Sequence, residues 1–384
     1  MKLSNRVLST EKLSYLEVAK LARSVPDAIY LNIGEPDFPT PAHIIEAAKE
    51  AMDRGDTHYT SDEGIKELRE AIAEKESKRL GLNFDEENVV ITAGATGGTY
   101  SALMASIEPG DEVLLPDPYY SGYYYAVQMA GGKLVGVTQM EERGFQIDSN
   151  ELQRKTSSKT KAMIVVSPNN PTGVVLNDNT LKEMAEVACE KDLLVVSDEV
   201  YNEFVFNGEF RSIGTYPGMS ERTVMINSFS KTYAMTGWRV GYAVGPKKII
   251  AEVAKVSHAT GVCVSSISQY AALAALQGTQ EPTKRMLEAY KVRRKILVEA
   301  LKRISLFRLV EPQGAFFAFP NISATKMSSM DLFRYLLGEA KVVALPGYPF
   351  FGAKGENHIR FSYSTATSKL EEAVARITEA MKKL

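Results

Sequence analysis

Five short apolar runs end in polar residues able to do chemistry, and one lysine stands among them. Residues 223–227 run into Ser228-Phe229-Ser230-Lys231, and 193–196 into Ser197-Asp198-Glu199-Val200-Tyr201. Residues 162–166 lead to the rigid polar turn Ser167-Pro168-Asn169-Asn170-Pro171-Thr172-Gly173, and 112–115 to Pro116-Asp117-Pro118-Tyr119-Tyr120. The run 89–92 ends in Ala93-Gly94-Ala95-Thr96-Gly97-Gly98. A lysine amine can act as a nucleophile or a general acid/base, and a carboxylate can hold a proton on a ligand. A glycine-rich turn that opens a helix offers free N–H groups and a positive dipole end to an anion. With hydroxyls from Ser228 and Ser230 and a charged fork from Arg239, the set suits a phosphate-bearing ligand. The turn alone says little, being neither a Walker A motif nor a GxGxxG fingerprint.

In open α/β sheets ligands bind beyond the carboxyl ends of the strands, so these residues share a site only if the runs are neighbouring strands. Candidate strands are 89–92, 112–115, 134–137, 162–167, 193–198, 223–227 and 239–244. Several are apolar at every position, the pattern of strands covered on both faces. Amphipathic stretches such as 180–191 separate them, which predicts an α/β fold with a mostly parallel sheet. We place that sheet in a large domain covering 46–280. Residues 1–45 form an N-terminal arm and part of a second domain. Within them Thr40 and Pro41 read as N-cap and first residue of a helix stopped at Gly55. The remainder, 281–384, starts with one long helix over 281–303 that can connect two domains. It continues with a strand-like GAFFAFP, a helix near 329–339, the loop LPGYPFFG, the strand HIRFSYS and a last helix, a small α+β domain.

The chain has 384 residues, 24% of them charged, with a formal net charge of −2 and no basic block. That balance gives no electrostatic reason to expect nucleic acid or an anionic membrane as a partner. Two cysteines, Cys189 and Cys263, make neither a disulfide framework nor a zinc site, and no metal is expected. The stretch MKLSNRVLST lacks the apolar core of a secretory signal, and the apolar runs are too short to span a bilayer. The expectation is a soluble, cytoplasmic protein.

Ser228-Phe229-Ser230-Lys231-Thr232-Tyr233-Ala234-Met235-Thr236-Gly237-Trp238-Arg239-Val240-Gly241 resembles the lysine signature of class I aminotransferases, the fold type I family of pyridoxal-phosphate enzymes. Other landmarks of that family appear in its order. They are Asn32-Ile33-Gly34-Glu35-Pro36-Asp37-Phe38, the Gly94 turn, Asn170-Pro171-Thr172-Gly173, Asp198-Glu199-Val200-Tyr201 and Ile359-Arg360-Phe361-Ser362. The resemblance spans nearly the whole chain. It implies a large domain with a mostly parallel seven-stranded sheet sandwiched by helices, a smaller α+β domain, pyridoxal 5′-phosphate as cofactor and a homodimer with shared sites.

The resemblance also implies roles. Lys231 would carry the cofactor as a Schiff base and then shuttle a proton between Cα and C4′. Asp198 would pair with the pyridine nitrogen, while Asn170 and Tyr201 would bond the phenolic oxygen. Ser228, Ser230, Arg239 and the backbone of Ala95 and Thr96 would bind the phosphate. Tyr120 matches the residue that stacks on the ring, with Tyr119 and Tyr123 as neighbouring competitors. Tyr59 matches the tyrosine that reaches the phosphate from the other subunit. Arg360 would grip the substrate α-carboxylate, with Asn170 beside it and Gly34 approaching through its backbone. Gly98 departs from the alanine usual at its position.

Ser228-Phe229-Ser230-Lys231 is also an S-x-x-K string, but the S-D-N and K-T-G elements of serine acyl-transferases are missing. A non-catalytic regulator on this fold normally carries a DNA-binding domain, for which 384 residues leave no room. A pyridoxal-dependent lyase, of the carbon–sulfur or aminocyclopropane-carboxylate synthase type, shares the fold and stays open, as does a broad or alanine-specific aminotransferase. The expected activity is transfer of an amino group, by a ping-pong mechanism, between an L-amino acid, with aspartate or aromatic donors favoured, and a 2-oxo acid such as 2-oxoglutarate.

Overall fold

The structure, a computed structural model, describes residues 3–10 and 15–384; Met1 and Lys2, from the stretch read above for a leader, lie outside the described residues, as do 11–14. After β1 (Ile29–Tyr30) come the strands of the main sheet: β2 (Val89–Thr92), β3 (Glu112–Asp117), β4 (Lys133–Met140), β5 (Gln146–Ile147), β6 (Thr160–Val166), β7 (Leu194–Asp198), β8 (Thr223–Ser228) and β9 (Gly241–Val244). Their order is β2-β9-β8-β7-β6-β3-β4-β5. Only β9 and β5 run against the rest. The seven expected strands are all present, and β5 adds an eighth at the edge.

The apolar runs are continuous because both faces are covered. In β6, Ala162, Ile164 and Val166 join one buried cluster while Met163 and Val165 join another, the two-residue alternation of a strand. The first face packs on helices Gly94–Met104, Ser121–Met129 and Lys247–Gly261; the second packs on Asp178–Glu190 and, further along, on Ala42–Asp53, Lys66–Leu80 and Ser266–Gln277. Fully buried side chains such as Leu114 and Ile164 contribute roughly 1.5–3 kcal/mol each.

Two boundaries differ from expectation for physical reasons. Arg239 is not in a strand: its φ of +52° closes the short turn Thr236–Trp238, and β9 starts at Gly241. A Cβ at Gly241 would lie 2.7 Å from the Asn227 carbonyl, so the ladder needs glycine there. Thr40 does not cap a helix. It accepts from Trp238 Nε1 at 3.0 Å and donates to the Ala234 carbonyl at 2.7 Å, while the helix begins at Ala42 behind Pro41 with no side-chain cap.

The long helix is real, Glu281–Lys302, and it crosses into the C-terminal region. There β10 (Phe317–Ala318), β12 (Leu345–Pro346) and β13 (Ile359–Ser362) form a sheet in the order β10-β13-β12, and β11 (Val342–Val343) pairs in parallel with β1. The expected helix near 329–339 is α-helical over Ser329–Tyr335 and continues as a π-helical stretch, Leu336–Ala340. Two carboxylates at strand ends of the main sheet bond this region. Asp117 accepts from the Lys354 N–H at 3.2 Å, and Glu141 accepts from Arg308 and from Asn321 Nδ2 at 2.7 Å. Among the described residues no helix is long and apolar enough to cross a membrane, no metal-ligating cluster forms, and both cysteines are free.

Candidate active site

The carboxyl ends of β2, β3, β6, β7 and β8 lie on one edge of the sheet, and β9, running the other way, brings its beginning to that same edge. The antiparallel strand is therefore what delivers Arg239. Here a cavity of about 450 Å³ opens, closed from the far side by the 32–35 segment and Arg360 of β13. Gly34, Ala95, Thr96, Tyr120, Asn170, Asp198, Tyr201, Ser228, Ser230, Lys231, Arg239 and Arg360 all line it. Tyr59 does not line it; it stands on an exposed loop, 82% accessible. Of the three competing tyrosines, Tyr120 and Tyr123 line the cavity and Tyr119 does not.

At the glycine-rich end, the helix Gly94–Met104 has no side-chain cap, so its first N–H groups are free for an anion. Gly94 has φ +69°, and a Cβ there would lie 2.6 Å from Arg239 Nη2. That glycine lets the arginine approach the turn, where Nη2 donates to the Ala93 carbonyl at 3.4 Å, while Nη1 donates to the Thr236 carbonyl at 2.9 Å. Ser228 Oγ donates to Ser230 Oγ at 2.8 Å, and both serines line the cavity together with Arg239.

Deeper in, the Asp198 carboxylate is buried. Its Oδ1 accepts from the Val200 N–H at 3.1 Å and its Oδ2 from the Tyr123 hydroxyl at 2.7 Å. Burial pushes its pKa up to about 6 against those two bonds. Lys231 Nζ donates to the Gly34 carbonyl at 2.5 Å. Burial lowers its pKa to about 8, opposed by Glu35 and Asp198 and reinforced by Arg360 and Arg239. Such a lysine is more often neutral, and so nucleophilic, near neutral pH than an ordinary exposed lysine. Tyr201 is wedged edge-on between Phe204, Phe316 and Phe317, and burial pushes its hydroxyl pKa well up.

Arg360 is buried between two rings, its guanidinium 4.3 Å from the Phe317 centroid and 4.9 Å from that of Phe351. Nη1 donates to Asn170 Oδ1 at 2.9 Å, and Nη2 donates to the Asn32 carbonyl at 2.7 Å. A cation locked in this way is preorganised for a carboxylate.

The residues fit pyridoxal 5′-phosphate. The cavity joins an uncapped helix start and two hydroxyls for a phosphate, a buried carboxylate for a basic ring nitrogen, and an amine for an aldehyde. Two buried polar atoms on its wall, Thr99 Oγ1 and Asn32 Oδ1, lack any partner within the protein, as walls built for a polar ligand do. Sequence reasoning missed Thr99, Asn32 and Glu35 as lining residues and treated Tyr123 only as a competitor for the stacking position. Helical spacing carried the signal for two of them: Thr99 lies four residues after Ala95, and Tyr123 three after Tyr120.

Residues 26–377 match the family described as aminotransferase class I and II. The chain is 42% identical to an aspartate aminotransferase of Pyrococcus horikoshii, over 99% of this chain and 97% of that one. It is 41% identical to aromatic-amino-acid aminotransferase 2 of Thermococcus litoralis, over 100% and 99%. The crystal structure of an aromatic aminotransferase from Pyrococcus horikoshii superposes with a TM-score of 0.90 at 42% identity, covering 95% of this chain and 99% of that one.

Proposed function

The chain belongs to the class I and II aminotransferases, pyridoxal-phosphate enzymes, and from that premise we propose that it moves the amino group between an aromatic amino acid or aspartate and a 2-oxo acid such as 2-oxoglutarate, in two half-reactions at one site. The observation that carries this reading is the meeting of Lys231, Asp198, Asn170 and Arg360 in one cavity. When bound, the cofactor supplies an aldehyde that takes up an amino group and a ring that accepts electrons from a Cα bond.

The chain's residues do the rest. Arg360 holds the substrate α-carboxylate, with the backbone of Gly34 alongside, and so fixes which substituent of Cα faces Lys231. The Lys231 amine takes the proton from that carbon and returns one. Its lowered basicity suits both directions of the transfer near neutral pH. Asp198 holds a proton on the ring nitrogen, and Asn170 and Tyr201 bond the phenolic oxygen. Ser228, Ser230, Arg239 and the N–H groups of Ala95 and Thr96 hold the phosphate. Tyr120 stacks on the ring. We assign residues 46–280 to cofactor binding, and 281–384 with the N-terminal arm to the carboxylate clamp. Tyr59 serves the other site of a homodimer, and the enzyme works in the cytoplasm.

The two donor classes follow from the two relatives' names, and the Tyr120, Tyr123 and Ile33 walls offer an aromatic donor apolar surface. A single-turnover screen tests the reading: each amino acid is mixed with loaded enzyme, and 2-oxo acid formation and the visible spectrum are followed. Aspartate or aromatic donors should convert stoichiometrically and be restored by 2-oxoglutarate. Release of ammonia without transfer would establish a lyase instead.

A further inference from the structure

We propose that Tyr123 is the positioning residue that fixes the Asp198 carboxylate toward the cofactor's ring nitrogen, a proposal that rests on the reading above. Asp198 ends β7, and a carboxylate on that stem swings about a soft, roughly two-fold torsion. Two bonds to its different oxygens stop the swing. The Val200 N–H holds Oδ1 from the residues that follow the strand. The Tyr123 hydroxyl holds Oδ2 from helix Ser121–Met129, which follows β3, two strands away in the sheet order. A local turn and a separate helix thus pin the group from two directions.

Tyr123 is itself fixed. It is 5% exposed, and its ring stands edge-on to Tyr120 at 5.8 Å and 88°. One side chain therefore braces both the carboxylate and the ring proposed to stack on the cofactor. The hydroxyl also matters electrostatically. Burial disfavours the Asp198 anion, and a charge-assisted bond from Tyr123 favours it. The other ionisable groups around Asp198 are Glu199, Lys231, Tyr201 and Tyr120. Glu199 pairs with Arg79 Nη2 at 2.6 Å but still disfavours the Asp198 anion, and the Tyr123 hydroxyl donates to that anion directly.

Tyr123→Phe deletes only the hydroxyl. A weaker anion at Asp198 leaves the ring nitrogen less protonated. A less positive ring in turn makes the proton on the lysine-linked nitrogen harder to lose. The pH midpoint of the visible absorbance should therefore rise by about half a unit or more, and the cofactor dissociation constant of the stripped protein should rise about tenfold. In an Asp198→Asn background, Tyr123→Phe should move neither quantity further. An unchanged midpoint and affinity in the single variant would overturn the proposal, as would an equal shift in both backgrounds, because Tyr123 would then act independently of Asp198. A wild-type protein that binds no cofactor would sink the underlying reading first, so the two failures are distinguishable.

Discussion

Arg360 Nη1 donates to Asn170 Oδ1 at 2.9 Å, so the cation proposed to grip substrate is tied to the amide proposed to touch cofactor. Strand β13 and the turn after β6 meet at that bond. The proposed substrate clamp and the proposed cofactor contact thus share one bond.

Arg360→Lys keeps the charge but loses the fork and the fit between Phe317 and Phe351. Losing one charge-assisted bond is worth roughly 1.5–3 kcal/mol, so kcat/KM should fall about 10- to 100-fold for amino acid and oxo acid alike. Steady-state kinetics for both substrates check this. A loss confined to one substrate would contradict a shared α-carboxylate clamp.

Burial holds Lys231 at about 8, below its ordinary 10.5. Between those two pH values the unfolded chain binds the extra proton, so stability rises with pH there; below about 8 the full cost of burying the ammonium is present. Lys231→Met should therefore raise the urea midpoint of cofactor-free protein at pH 7, and the gain should shrink toward pH 10. Equal midpoints at pH 7 would contradict the burial argument.

Much of this is legible in the sequence alone. The continuous apolar runs read as strands covered on both faces, and their polar ends read as the wall of a site. What stayed hidden was what depends on contacts between distant segments. Nothing local in the sequence says that Tyr123 points at Asp198 while Tyr119 turns away. The apolar Val240 and its neighbours predict a strand at Arg239; its left-handed backbone goes with the close approach of Gly241 to Asn227 and of the arginine to Gly94, which are contacts between distant segments. Thr40 carried a good capping residue type but spent its hydroxyl on Ala234 and Trp238.

Gly94→Ala puts a side chain where φ is +69° and an arginine nitrogen is 2.6 Å away. The backbone strain alone costs roughly 1–2 kcal/mol. Thermal unfolding should shift down, and affinity for inorganic phosphate and for the cofactor should drop together as Arg239 is displaced. Unchanged phosphate affinity would contradict the placement of the anion at this turn.

Burial works against ionisation of Glu141, but His358, Arg308 and Asn321 outweigh it and hold its pKa at about 2. A lowered carboxylate stabilises above its unfolded value of about 4.5, and that contribution is lost as pH falls through about 2. Since Arg308 is largely exposed, Glu141→Gln should cost only about 1–2 kcal/mol at pH 7 and almost nothing near pH 2. Denaturant titrations at the two pH values measure this.

The central claim is that Lys231 is the residue that bonds the cofactor covalently. Borohydride reduction of the loaded enzyme, followed by peptide mass spectrometry, tests it most directly. The account predicts one reduced pyridoxyl-phosphate adduct per chain, on Lys231, and none in a folded, cofactor-binding Lys231→Ala variant that no longer transfers amino groups. An adduct on any other lysine, or wild-type turnover by that variant, would contradict it.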